Sequence, residues 1–277
     1  MVTSYNGEVL RVNLTERTIN TEPLDMEKAV KYIGGRGLGT RMLLDEGCAT
    51  VEPLSPENKL IYITGPMTGT AVPTGGRYMV VTKSPLTGMI ACSNSGGVWG
   101  AILKYAGWDA IVVEGKADAP VYLEINDHEV TLHDASDLWG KKSLETESIL
   151  KERHTGYSVL NIGPAGENQA LLAAIMNDGD RAAGRSGVGA VMGSKNLKAI
   201  VVKASKTQID PHDVDALRTA AVDCIKKLRA NGVTGEGLPT FGTAVLVNII
   251  NNIGAMPTKN WQESYYPEAD SFSGETM

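Results

Sequence analysis

Alternating apolar and polar positions mark two stretches of this chain as β-hairpins. Glu8-Val-Leu-Arg-Val-Asn-Leu14 followed by Arg17-Thr-Ile-Asn20 has the period of two that puts one face of a strand in a core. Pro120-Val-Tyr-Leu-Glu-Ile125, a turn at Asn126-Asp127 and Glu129-Val-Thr-Leu132 repeat that pattern. A helical stretch follows each hairpin, Met26 to Tyr32 and Ser143 to Arg153, and then a short apolar strand ends in Gly-Pro, Ile61-Tyr-Ile-Thr-Gly-Pro66 and Val159-Leu-Asn-Ile-Gly-Pro164. Last, Gly100-Ala-Ile-Leu-Lys-Tyr-Ala-Gly-Trp-Asp-Ala-Ile-Val-Val113 returns without a gap as Gly189-Ala-Val-Met-Gly-Ser-Lys-Asn-Leu-Lys-Ala-Ile-Val-Val202. The matching order predicts two homologous halves, about residues 7–117 and 119–206.

The second half is shorter between its Gly-Pro and its Gly-Ala, so Tyr78-Met-Val-Val-Thr82 reads as an additional strand of the first half. Hairpins mixed with single helices favour an α+β fold, two sheets with helices packed on them, over a doubly wound parallel sheet. From Asp210-Pro211 the pattern changes to helical spacing, with helices expected over Val214 to Leu228 and Thr243 to Asn252 and a loop at the glycines 232, 235 and 237 between them. Pro257 to Met277 is polar with aromatics and shows no closing element. The division is therefore a duplicated domain over 1–207 and the beginning of an incomplete helical domain over 208–277.

Composition narrows the function. With 42% apolar residues in 277, the chain can build a sizeable core, and its net charge of −6 argues against non-specific nucleic-acid binding. Apolar runs such as Leu60-Ile-Tyr-Ile63 are strand-sized, well short of the roughly 20 residues that span a bilayer, and the first residues carry no signal-peptide pattern. A cytoplasmic protein is expected. Cys48, Cys92 and Cys224 are scattered, without a Cys-x-x-Cys pair, and read as thiols in a reducing compartment.

Candidate chemistry lies in the glycine-rich segments. Asn94-Ser-Gly-Gly97 opens onto a helix near Val98, and Arg181-Ala-Ala-Gly-Arg-Ser-Gly187 does the same while adding two guanidiniums suited to bidentate contact with phosphate. Thr74-Gly-Gly-Arg77 places another arginine beside flexible backbone. Any one glycine loop serves equally as a tight turn, but a duplicated pair of them points to one two-lobed, phosphate-bearing ligand. Gly34-Gly-Arg-Gly-Leu-Gly39 follows a helix instead of a strand, so a dinucleotide-binding reading fails on context. His128, His133, His154 and His212 form no catalytic pattern, and Asp178, Asp180, Glu114 and Glu167 read as solvated or capping charges.

Leu54-Ser-Pro-Glu-Asn-Lys-Leu60, Gly65-Pro-Met-Thr-Gly69, Pro73-Thr-Gly-Gly-Arg-Tyr78 and Thr82-Lys-Ser-Pro-Leu-Thr-Gly88 resemble the aldehyde ferredoxin oxidoreductases. So do Ile162-Gly-Pro-Ala-Gly-Glu-Asn168, Asn177-Asp-Gly-Asp-Arg-Ala-Ala-Gly-Arg185, Gly187-Val-Gly-Ala-Val-Met-Gly-Ser-Lys-Asn-Leu-Lys198 and Gly242-Thr-Ala-Val-Leu-Val-Asn-Ile-Ile250. The resemblance implies a tungsten or molybdenum ion held by two pterins, a 4Fe-4S cluster, and transfer of electrons from an aldehyde to ferredoxin, giving a carboxylic acid. It implies that the duplicated domain is the base under the two pterins. Magnesium would join the pterin phosphates and be held through the main-chain carbonyls of Asn94 and Ala182, one in each half.

By the same carry-over, Arg77 would bridge pterin and cluster, and Gly96, Arg181, Gly184 and Arg185 would line the pterins. The family's cluster cysteines, its Asp-x-x-Gly-Leu pterin motifs and its proton-transfer residues have no counterpart in these residues. Three expectations follow: the N-terminal part of such an enzyme, with the remainder of the enzyme as its partner and room for a homodimer; a non-catalytic fragment or one piece of a split enzyme; or a related bis-pterin enzyme acting on an aromatic-ring thioester.

Overall fold

The computed structural model describes residues 4–277, which divide into two units after Val214. In the first unit the alternating stretches pair as read: β1 (Glu8–Asn13) with β2 (Thr18–Pro23), and β7 (Val121–Asn126) with β8 (Glu129–Asp134). The first hairpin joins β3 (Leu60–Ile63), β4 (Tyr78–Lys83), β5 (Ile90–Ser95) and β6 (Ala110–Glu114) in a six-stranded sheet of order β2-β1-β6-β3-β4-β5. The second joins β9 (Ser158–Asn161), β10 (Ile175–Asn177), β11 (Arg181–Ala183) and β12 (Leu197–Lys203) in the order β11-β10-β9-β12-β7-β8.

Read from the other edge, the second order is the first one repeated. The parallel pair recurs as well, β1 with β6 and β7 with β12, and the other pairings are antiparallel in both sheets. The fold is α+β and internally duplicated. One expectation is corrected: β4 is no addition to the first half, because β10 occupies the equivalent place with three residues, too few to show a period.

Alternation decides which side of each strand is covered. Leu10, Val12, Tyr62 and Val113 from the first sheet share a core with Leu123, Ile125, Leu160 and Ile200 from the second. The outer face of the first sheet, with Val9, Ile61 and Val112, packs on α1 (Met26–Tyr32) and α2 (Gly35–Asp45) through Ala29, Leu38 and Leu43. The outer face of the second, with Tyr122, Val159 and Val201, packs on Leu150 of α4 (Ser143–Arg153).

Between the sheets lie α3 (Trp99–Tyr105) and α6 (Val188–Ser194), beside the single turn α5 (Pro164–Glu167). Each reaches both sheets: α3 of the first half packs on β9 and β12 while its Trp99 meets Tyr62 and Tyr78, and α6 of the second packs on β3 and β4 as well as on its own β12. Trp99 Nε1 donates to Ile200 O at 3.4 Å, and Tyr62 Oη to Met192 Sδ at 3.2 Å. Neither half could bury its share of this core alone.

Buried charge follows the duplication with a change of sign. The repeat aligns Asp109 with Lys198; Asp109 pairs with Lys104 at 2.6 Å, and Lys198 pairs with Glu167. Lys195 is buried without a carboxylate partner among the described residues, its Nζ donating to Pro56 O at 3.2 Å and Gly115 O at 3.1 Å. Burial, with the nearby Lys59 charge, pushes its pKa down from 10.5 to about 8. Below pH 8 the folded state bears the cost of that charge, and above pH 10.5 neither state does. The stability of the wild type relative to Lys195→Met should therefore rise by on the order of 3 kcal/mol across that interval, as read from urea midpoints. A difference that stays flat with pH would disprove the assignment.

In the second unit α7 (Val214–Ala230) is followed by a π-helical turn (Val233–Gly237), α8 (Leu238–Phe241), a 3₁₀ turn (Gly242–Val245) and α9 (Leu246–Asn252). The expected loop at glycines 232, 235 and 237 is thus helical; at Gly235 a Cβ would lie 2.1 Å from Arg229 O, so the close turn needs glycine. Val233–Asn252 has 20 residues and a mean hydropathy of 1.2, longer than the apolar runs noted from sequence. It is a succession of different helical turns and includes Glu236 and Pro239, unlike the unbroken hydrogen bonding that a lipid-exposed span needs. Past Pro257 the chain is tied back by Asn251, whose side chain bonds Tyr266 O at 2.9 Å and Tyr266 N at 2.8 Å.

Candidate functional site

The two glycine-rich segments begin at the free edges of the two sheets. Asn94 and Ser95 are the last residues of β5, and Arg181–Ala183 is β11, so both segments start as strand where sequence suggested only loop. Ladder pairing with β4 and β10 fixes them.

Bonds between the halves hold these edges together. Arg185 N donates to Ser93 Oγ at 3.2 Å, and Ser84 Oγ donates to Ser186 O at 2.8 Å. The buried Asn177 amide donates to Gly96 O at 3.0 Å, and its oxygen accepts from Ser95 Oγ at 2.6 Å and Tyr78 Oη at 3.0 Å. Asp178 Oδ2 accepts from the main-chain N–H groups of Val98 at 2.8 Å and Trp99 at 3.2 Å, the start of α3, while Oδ1 accepts from Ser158 Oγ at 2.8 Å. Gly97 has φ +85°, and a Cβ there would fall 2.2 Å from Asp178 Oδ2, so only glycine admits this contact. The Thr74–Arg77 segment closes on the same loop, since a Cβ at Gly76 would lie 2.4 Å from Gly97 O.

A cavity of about 380 Å³ opens between the edges, lined by Arg36, Cys92, Ser93 and Asn94 from the first half and by Ala182, Gly184 and Arg185 from the second. Asn94, Ala182, Gly184 and Arg185 were legible in the sequence and are brought together here. Arg77 joins them by donating to Asn94 Oδ1. Gly96 follows on the same loop, with nothing within 4 Å of the place a Cβ would take, so a side chain there would fill open space. Arg181 stands outside the lining, exposed and 3.4 Å from Asp180.

Arg36, Cys92 and Ser93 escaped the sequence reading. The signal for Arg36 was the glycine run 34–39, weighed only as a dinucleotide motif; it forms the start of α2. Among the described residues, arginine ion pairs are made by Arg11, Arg41, Arg153 and Arg181, and not by Arg36, Arg77 or Arg185. Uncompensated guanidiniums around an open cavity suit an anion with several oxygens.

Most of the remaining candidates have structural partners. His133 pairs with Glu124 at 2.6 Å, His154 bonds Tyr122 Oη at 3.0 Å, and His128 lies edge-on to Trp108. Burial pushes the Glu124 carboxyl up, but the bonds from Tyr157 and His133 outweigh it and hold the group below its usual range. Glu114 binds Lys59 at 2.6 Å and Arg11 at 3.2 Å. Among the described residues no group of three or more His, Cys, Asp or Glu stands together to hold a metal ion, and Cys48, Cys92 and Cys224 are free thiols.

Comparison with known proteins gives the following. The family model for the aldehyde ferredoxin oxidoreductase N-terminal domain matches residues 9–204, and that for domains 2 and 3 of the same enzymes matches residues 219–277. The tungsten-containing aldehyde ferredoxin oxidoreductase of Pyrococcus horikoshii is 56% identical over 277 residues, covering 99% of this chain and 45% of that protein. The one from Pyrococcus furiosus is 56% identical over 273 residues, with 98% and 45% covered. The solved active-site complex BamBC of benzoyl coenzyme A reductase with 1,5-dienoyl-CoA is similar at a TM-score of 0.78 and 40% identity, over 83% of this chain and 36% of that one. The chain thus spans about half the length of the curated relatives it matches.

Proposed function

The chain belongs to the aldehyde ferredoxin oxidoreductase family, and on that premise we propose that its first unit is the base for a tungsten-bearing bis-pterin in a cytoplasmic enzyme that oxidises aldehydes to carboxylic acids. The observation that carries this reading is the cavity built half from each repeat and lined by Arg36 and Arg185, which have no carboxylate partner among the described residues. Two like lobes of a ligand call for two like edges, and β5 and β11 supply them. Arg77 and Arg185 would offset phosphate charge, with Arg181 at the margin released from Asp180 to do the same. Gly96 and Gly184 would leave room for the pterin faces. The carbonyls of Asn94 and Ala182 are hard oxygen donors of the kind magnesium takes beside phosphate.

When bound, the metal would supply carbonyl polarisation and two-electron chemistry. The protein's part in this unit is to bind and orient. Ferredoxin, the aldehyde and the 4Fe-4S cluster enter the reading at the level of the whole enzyme, since the thiols here do not assemble a cluster site. A related bis-pterin enzyme acting on an aromatic-ring thioester is the second reading, supported by 40% identity to the BamBC chain; the 56% identity to tungsten-containing aldehyde oxidoreductases favours the first.

Metal and phosphorus analysis of protein purified from tungstate-supplemented anaerobic cells tests the cradle. Arg77→Ala and Arg181→Ala should each lower bound tungsten and pterin phosphate, roughly tenfold in retention for a lost charge-assisted bond pair. Unchanged tungsten in both variants would remove these roles. Aldehyde-dependent reduction of oxidised viologen, against aromatic-thioester-dependent oxidation of reduced viologen, would separate the two readings.

A further inference from the structure

We propose that Arg36 is an anion-binding residue of the same cavity, closing with Arg185 on a phosphoryl dianion from the opposite half. This role rests on the cradle reading and adds to it a contact that none of the sequence motifs assigns. Arg36 is the second residue of α2, and three close approaches fix where it stands. A Cβ at Gly34 would lie 3.0 Å from Gly65 Cα, one at Gly37 2.5 Å from Tyr32 O, and one at Gly39 2.8 Å from Val81 Cγ2. Gly35 N is already bonded to Thr64 O at 2.9 Å. The glycine run therefore lets α2 settle on β3 and β4 and carry a guanidinium to the cavity wall.

Across from it, Arg185 is held by its main-chain bond to Ser93 Oγ at 3.2 Å. Two cations that line one cavity without a carboxylate repel each other until an anion lies between them. A phosphoryl dianion offers enough oxygens to engage both planar forks, which a single carboxylate does not. The wall also holds a reporter, Cys92, whose Sγ lies 3.4 Å from Thr40 Oγ1.

The test uses the 277-residue chain, inorganic phosphate as the probe, and alkylation by iodoacetamide followed peptide by peptide, with the exposed Cys224 as internal reference. Phosphate should slow alkylation of Cys92 but not of Cys224. The phosphate concentration giving half-protection should rise about tenfold in Arg36→Ala and less in Arg36→Lys, which keeps the charge but loses the fork. Arg36 is exposed on a helix that favours alanine, so the variant should melt with the wild type. Protection in Arg36→Ala equal to that in the wild type, or no protection by phosphate in the wild type, would overturn the proposal. Failure of the cradle reading has a separate sign, namely unaltered tungsten content in Arg77→Ala and Arg181→Ala.

Discussion

Gly193→Ala is expected to abolish folding of the first unit. A Cβ at Gly193 would stand 1.9 Å from Gly166 O and 2.5 Å from Gly166 C, and both obstacles are backbone, with no flexible end to swing aside. Every residue of α6 is buried, and the helix is held on its other turn by Gly189, where a Cβ would meet Ala174 O at 2.4 Å. Relief would require α6 to move away from α5 and the first sheet together, opening the shared core. That costs more than about 4 kcal/mol, a large share of the stability of an ordinary domain. Gly100, the partner of Gly189 in the repeat, is a graded control: its Cβ would sit 3.0 Å from Tyr78 Cβ and 3.1 Å from Gly76 O, so Gly100→Ala should fold with a lowered melting temperature. Soluble yield and circular-dichroism melts decide the matter; a Gly193→Ala protein melting within a few degrees of wild type would refute the packing argument.

The same repeat shows where sequence informs and where it stops. Period-two alternation and a gapless recurrence were enough to expect two like halves with their hairpins and central strands. They carried no sign that α3 and α6 each reach across to the other half's sheet, because Gly100–Val113 and Gly189–Val202 have the same pattern whether each helix covers its own sheet alone or both. β10 and β11, three residues each, are held by neighbours and not by a period of their own. In the second unit Gly232, Gly235 and Gly237 read as a break, yet at Gly235 the chain passes so near Arg229 O that glycine is what keeps the turn helical.

At the cavity, the residues found from sequence are those whose backbone or charge sits in a glycine-rich motif: Asn94, Ala182, Gly184 and Arg185. Arg36 lies in such a motif too. It was missed because its glycines serve the docking of α2, and their effect on Arg36 appears only once β3 and β4 are in place. Arg181 shows the converse: a sound motif position whose side chain turns to Asp180.

Asp178→Ala should destabilise the first unit by about 3 kcal/mol and loosen a loop that belongs to the other half. Its Oδ2 collects the N–H groups of Val98 and Trp99 and the amide of Asn177, at 2.8, 3.2 and 2.8 Å, while Oδ1 takes the Ser158 hydroxyl at 2.8 Å. Losing the cap on α3 costs about 1 kcal/mol, and stranding the buried donors of Asn177 and Ser158 adds a similar amount or more. Asp178→Asn separates geometry from charge. Its amide oxygen can take the place of Oδ2, and Ser158 can turn its hydroxyl to accept from the new NH₂, so the loss should be about 1 kcal/mol. Because Asn177 holds Gly96 O and Asp178 holds Val98 N, the alanine variant should also release Asn94–Gly97 from register with Ala182, and bound tungsten should fall with it. Chemical denaturation gives the first result and metal analysis the second. Equal damage from alanine and asparagine would mean that charge alone secures the loop, and wild-type stability in the alanine variant would mean that the two halves are held together elsewhere.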